Sequence, residues 1–163
     1  MADDWETRIS AFWETVDLSD RDGAVNAMLA LCAERAADDP AAAFELGGVH
    51  DSTGFEEEAN RHYLRARALG LSGARLAQLN IQQGSTLRNL GQFDEAIAML
   101  EATQADPSIG DARAVFLALA LRDVGRHDEA IRLLIEALVP HLPRYRRSAT
   151  DYARALTTPD VAS

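Results

Sequence analysis

Apolar residues recur at intervals of three and four along nearly the whole chain, the spacing of one helix face. Trp5, Ile9, Phe12, Trp13 and Val16 place an aromatic stripe on a helix over 4–16. Ser19 followed by Asp22 resembles a capped start, and Ala24 to Ala36 reads as a second helix ended by Asp38, Asp39 and Pro40. The same periodicity predicts helices over 41–50, 56–69, 73–90, 93–105, 111–124, 127–139 and 145–156. Between them stand Asp51-Ser52-Thr53-Gly54, Gly70, Gly91 and Gly125 as turns, with Pro107, Pro140 and Pro143 as breaks. In the last segment Tyr145, Ala149, Tyr152 and Leu156 share a face, and the tyrosines are expected to pack inward. No segment shows the alternation of a convincing strand, so the chain is predicted all-α.

One stretch occurs twice. Leu87 to Leu100 and Leu121 to Leu134 lie 34 residues apart and agree at eight of 14 positions. A helix, a glycine turn and a second helix repeated at this period are the signature of a helical-hairpin solenoid. The turn glycine falls at Gly54, Gly91 and Gly125, and an early alanine of the second helix at Ala59, Ala96 and Ala130. A bulky residue follows at Tyr63, Leu100 and Leu134. Small residues of the first helix stand at Gly47, Gly84 and Ala118, and Pro107 and Pro140 close their units.

On these residues the units resemble tetratricopeptide repeats. The stretches FELGGVHDSTG, STLRNLG and HLPRYRRSATDYA make the whole chain look like the bacterial group 5 of that family. Departures are Glu56 and His127 where the family prefers an aromatic, a missing terminal proline in the first regular unit, and 37 residues between Gly54 and Gly91. The resemblance implies an all-α, right-handed, antiparallel helical-hairpin solenoid. Its expected parts are an irregular hairpin over 1–39, three regular hairpins over 40–140, and a capping helix and tail over 141–163.

Charge narrows the partners. The net charge is −10, which argues against nucleic acid and anionic membrane surfaces as ligands. Residues 1–60 carry 15 acidic side chains against three arginines, and the remainder 11 against 13, a polarity compatible with head-to-tail association. Every one of the 16 basic residues is arginine, so chemistry that needs a lysine Schiff base or a P-loop lysine is excluded. Cys32 is the single cysteine, sits in an apolar run, and reads as a small buried hydrophobe. The acidic start MADDWETR lacks the features of a signal peptide, and no apolar run is long enough to span a bilayer; a cytoplasmic location is expected.

In a solenoid of this type the first helix of each unit lines a concave groove. Helical phase selects Gln78, Gln82, Ser85, Arg88 and Asn89 in the second unit, Leu119 and Arg122 in the third, with Asp51, Ser52 and Asp123 beside them. Arg88 and Arg122 share one repeat position, so a protein or peptide with an acidic segment or carboxylate terminus is the expected partner, unless both are already paired internally. The pattern by which some family members clamp a chaperone tail is not matched: Phe44, Gly48, Ala112 and Phe116 stand at those places.

The expected function is therefore a non-catalytic interaction scaffold without cofactor or metal. Two alternatives come from other residues. Trp5 and Trp13 suggest a homodimer through the N-terminal helix. His50, Asp51 and Ser52, or Glu58 and His62 with His50, suggest a hydrolase or metal enzyme, but adjacency favours turn chemistry for the first set and no HExxH-type pattern supports the second. Arg144, Arg146, Arg147 and Arg154 with Tyr145 and Tyr152 are read as a cap and not as a nucleic-acid surface.

Overall fold

The computed structural model describes residues 4–158, and these fold into helices without a strand among them. The order is α1 (Asp4–Thr15), α2 (Arg21–Cys32), α3 (Pro40–Ser52), α4 (Glu56–Ala68), α5 (Gly73–Asn89), α6 (Phe93–Ala102), α7 (Ala112–Asp123), α8 (His127–Leu138), a 3₁₀ turn (Val139–His141) and α9 (Arg146–Ala155). Successive helices pair as hairpins, α1 with α2, α3 with α4, α5 with α6 and α7 with α8. Each outer helix also meets the inner helix of the next pair, and α3, α5 and α7 touch in a row. This is the helical-hairpin solenoid of the repeat pattern.

The turns repeat one device. After α3, α5 and α7 the chain turns through Gly54, Gly91 and Gly125 at φ 75°, 76° and 80°, a left-handed conformation that only glycine adopts without strain. Paired backbone bonds close each end; at the second, Gly91 N–H reaches Arg88 O at 3.0 Å and Gln92 N–H reaches Leu87 O at 2.9 Å. At the other end of α3, the Asp39 carboxylate accepts from the amides of Ala41 and Ala42 at 2.8 and 3.2 Å, with Pro40 at the first helical position.

Several local expectations are corrected. The start of α2 is capped by Asp20, which accepts from Gly23 N–H at 3.1 Å, whereas the Ser19 hydroxyl donates to Asp17. That helix ends at Cys32, short of Ala36. Asp51 and Ser52 belong to the last turn of α3 and not to the loop, because the helix runs on to Ser52 with Thr53 as its C-cap. Thr103 leaves α6 early: its backbone is extended while its hydroxyl folds back onto Met99 O at 2.8 Å.

Tyr145 and Tyr152 are 79% and 75% exposed, contrary to the inward packing expected of them. Helix α9 docks instead through Ala153, fully buried, with Ala149 and Thr150 at its sides. The bulky repeat residue shows the consequence. Tyr63 and Leu100 are fully buried because another hairpin follows, whereas Leu134 is 43% exposed under this narrow cap.

The core is a chain of three clusters. Trp5, Ile9, Met28, Cys32 and Val49 join α1 and α2 to α3. Phe44, Tyr63, Ala66 and Leu79 join α3 and α4 to α5. Ile81, Leu100, Leu117 and Leu121 fill the remainder. Cys32 is buried as expected, and burial first, then the nearby Glu45 and Asp39, push its thiol up to about 12. No described helix is long and apolar enough to cross a membrane.

Small residues set the distance between paired helices. A side-chain carbon at Gly47 would collide with the Tyr63 ring, and one at Gly84 would lie 2.7 Å from Leu100 Cγ. Gly84→Ala is therefore expected to destabilise the protein by about 1–3 kcal/mol in urea unfolding, despite the better helix propensity of alanine. Asp39→Ala should cost about 1 kcal/mol at neutral pH. Burial would raise the Asp39 carboxyl, but Arg35 and the two capping amides outweigh it and hold it below its ordinary value. Its contribution is therefore complete above the ordinary carboxylate range and is lost as pH falls through the lowered pKa, which a pH series of melts checks.

Candidate functional site

The expected groove residues stand on α5 and α7, which touch in a row with α3, and α1 joins α3 and α5 around a shared cleft. None of Gln78, Gln82, Ser85, Arg88, Asn89, Leu119 and Arg122 is buried; Asn89, Leu119 and Arg122 are exposed and the others partly so. On α5, residues 78, 82, 85 and 89 fall at helical spacing on one face. Four of them fall into two sectors of opposite electrostatic character, Arg88 and Arg122 in one and Gln78 and Gln82 in the other.

In the sector between α5 and α7, Arg88 Nε donates to Asp123 Oδ2 at 2.6 Å and Arg122 Nη1 donates to Asp123 Oδ1 at 3.1 Å. Both arginines are thus paired, but with a single carboxylate, which leaves one positive charge in excess. The bonds from Arg88 and then Arg122 hold the Asp123 carboxyl below its ordinary value. The Arg122 side chain is 70% exposed, so most of its donors face solvent.

Gln78 and Gln82 instead line a cleft of about 610 Å³ between α1, α3 and α5, with Trp13, Phe44, Gly48 and Asp51 among its walls. Glu45, buried within it, accepts from Trp13 Nε1 at 2.8 Å and pairs with Arg75 Nε at 3.4 Å. Arg75 turns its other nitrogens onto Glu6, at 3.0 and 2.5 Å. Burial pushes the Glu45 carboxyl up, with the Trp13 and Arg75 contacts offsetting part of the effect. Asp51 is also raised by burial, although Thr86 Oγ1 donates to it at 2.9 Å. The Tyr63 hydroxyl donates to Gln82 Oε1 at 3.0 Å, and burial raises that phenol too.

Sequence reasoning missed Glu6, Trp13, Glu45 and Arg75 as groove residues. A signal existed for Glu45, the lone charge in the otherwise apolar or small run Ala41 to Val49. Trp5 is buried and the Trp13 indole is bonded to Glu45, so both tryptophans of the N-terminal stripe are engaged within the chain.

The alternative chemistries do not assemble. His50 Nδ1 lies 2.7 Å from Leu46 O and its ring stacks on His62 at 5.0 Å, while Asp51 turns to Thr86. Glu58 pairs with Arg61 at 2.8 Å. Among the described residues, no three His, Cys, Asp or Glu side chains converge as a metal site would require. A hollow of about 730 Å³ beside α8 is lined by Glu101, Arg113, Asp128, Arg132 and Glu136 among others, and Arg132 is bonded to Glu136 at 2.9 Å.

Removal of Arg75 leaves Glu45 buried without its cation. Arg75→Ala should cost about 3 kcal/mol at neutral pH. Because the Glu45 carboxyl is raised in the fold, and further raised without Arg75, the folded state takes up a proton more readily than the unfolded chain. The deficit should therefore shrink as pH falls from neutrality toward the carboxylate range, and melts of both proteins across that range check it.

The tetratrico peptide repeat family model matches residues 40–156, which carries the resemblance through α9. No curated protein matches the chain. No solved structure matches it. The matched region, over a stack of hairpins that each turn through a left-handed glycine, shows that the chain belongs to the tetratricopeptide repeat family.

Proposed function

We propose that the protein is a non-catalytic interaction scaffold that receives an extended segment of a partner protein along its concave face. The observation that carries this reading is the row of accessible polar side chains on the inner helices, held by a stack whose core lies elsewhere. Stacked hairpins position these groups before binding, so little conformational entropy is lost on the protein side when a segment docks.

The sector at Arg88 and Arg122 supports a carboxylate in that segment, acidic side chain or chain terminus. Two guanidinium groups share Asp123, and the exposed Arg122 fork has donors left for a second anion. Membership of an interaction-repeat family supports the same class of function. The engagement of Trp5 and Trp13 inside the chain removes the main support for a dimer through α1.

A fluorescein-labelled peptide, Gly-Ser-Gly-Glu-Glu-Asp with a free C-terminus, tests this reading by anisotropy. Wild type should bind it better than the corresponding Gln-Gln-Asn amide, and Arg122→Glu should weaken it by about tenfold or more without loss of helicity. Equal affinity of Arg122→Glu and wild type would overturn the assignment.

A further inference from the structure

The cleft between α1, α3 and α5 contains a carboxylate whose partners are neutral. Asp51 accepts from the Thr86 hydroxyl and interacts with the Tyr63 phenol, and the charged side chain that acts on it, Glu56, has the same sign. Glu6 and Glu45 in the same cleft are both served by Arg75. Three carboxylates therefore face one guanidinium, and Asp51 is the one that Arg75 is not bonded to. Asp51 is also the residue that stands at the repeat position of Arg88 and Arg122. Along the concave face that position is acidic once and basic twice.

The cleft has room because position 48 is glycine. A side-chain carbon there would lie 3.2 Å from the Trp13 ring and 3.8 Å from Gln82 Oε1, so the space between tryptophan and amide exists only without one. The neighbouring sector shows what this lining accepts. Arg75 sits 5.8 Å from the centre of the Trp5 ring and forks onto two carboxylates. The pairing of tryptophan, carboxylate and guanidinium is complete around Arg75. Beside it Trp13 and Asp51 line the same cleft, and among the described residues no arginine is bonded to Asp51.

We propose that this cleft binds an arginine side chain from the partner segment, with Asp51 as its counter-ion, the Gln78 and Gln82 carbonyls as acceptors, and Trp13 and Phe44 as walls. Arginine fits better than lysine because its planar, weakly hydrated group matches an aromatic wall and several acceptors at once. The inference rests on the groove reading and names the chemistry of its acidic sector. The partner segment then carries a basic residue toward α1 and an acidic group toward α7, a polarity that sets the direction in which it lies.

The two tryptophans make the test direct. Nα-acetyl-arginine amide, titrated into nitrogen-15-labelled full-length protein, should move the Trp13 indole N–H signal saturably and leave that of buried Trp5 in place. Nα-acetyl-citrulline amide, of nearly the same shape and neutral, should bind about tenfold more weakly or less. Asp51→Asn should weaken the arginine probe by a similar factor. Since that variant changes a half-buried group, Gln78→Lys and Gln78→Glu give a second readout on a partly exposed helix position. The lysine should abolish binding and the glutamate should strengthen it several-fold.

Equal binding of the arginine and citrulline probes, or indifference to Gln78→Lys, would overturn the proposal. Equal binding of Nα-acetyl-lysine amide would overturn the choice of arginine. If the arginine probe fails while the acidic peptide still binds in an Arg122-dependent way, this inference falls alone. If both fail, the groove reading falls with it.

Discussion

The close approach of paired helices governs everything else in this molecule. Gly47 lies against the Tyr63 ring and Gly84 against Leu100, with no space for even a methyl group. Such contact lets each outer helix sink its bulky residue fully under the inner one, and the next hairpin then seals it. Glycine in a helix interior carries a propensity cost of about 1 kcal/mol, tolerated where close packing returns more. Where the stack stops, the arrangement relaxes: Ala118 replaces glycine and Leu134 is left part exposed beneath α9. A single local rule thus explains both the regularity of the stack and the looseness of its end.

A stack with its core between helices is free to place polar groups on its inner surface, and this protein does so at some cost. Glu45 and Asp51 are held in surroundings that raise both carboxyls. Their neighbours Trp13, Arg75, Thr86 and Tyr63 satisfy the hydrogen bonds, so that no buried side-chain nitrogen or oxygen among the described residues lacks a partner. The hydrogen bonds are complete while the charge is not, and that difference separates a structural network from one suited to a charged ligand. The Arg88, Arg122 and Asp123 cluster shows the opposite imbalance at the other end of the same face.

Much of this was legible from the chain. Helix order, the glycine turns and the small residues at Gly47 and Gly84 follow from periodicity and from the requirement for left-handed backbone or close approach. Asp51 was misplaced in a turn because Asp, Ser and Thr before glycine have turn chemistry, whereas the observed helix runs on through Ser52 and leaves Thr53 and Gly54 to the turn. The outward Tyr152 of α9, and Tyr145 just before that helix, were missed for a related reason. A face shared by Tyr145, Tyr152 and Leu156 reads as apolar, but a helix at the end of a stack packs by shape, and Ala153 allows it to lie closer.

The sequence alone determined the repeat and the class of fold, because those depend on local propensity and on spacing along one chain. It also placed Arg88 and Arg122 at equivalent positions. Only the tertiary structure decided that these two share Asp123, that α1 brings Trp13 and Glu6 onto the same cleft as Gln78 and Gln82, and that Arg75 pairs with Glu6 and Glu45 and not with Asp51. Charge balance in a groove depends on contacts between residues as far apart as Glu6 and Arg75, and periodicity carries no information about which of several arginines will reach a given carboxylate.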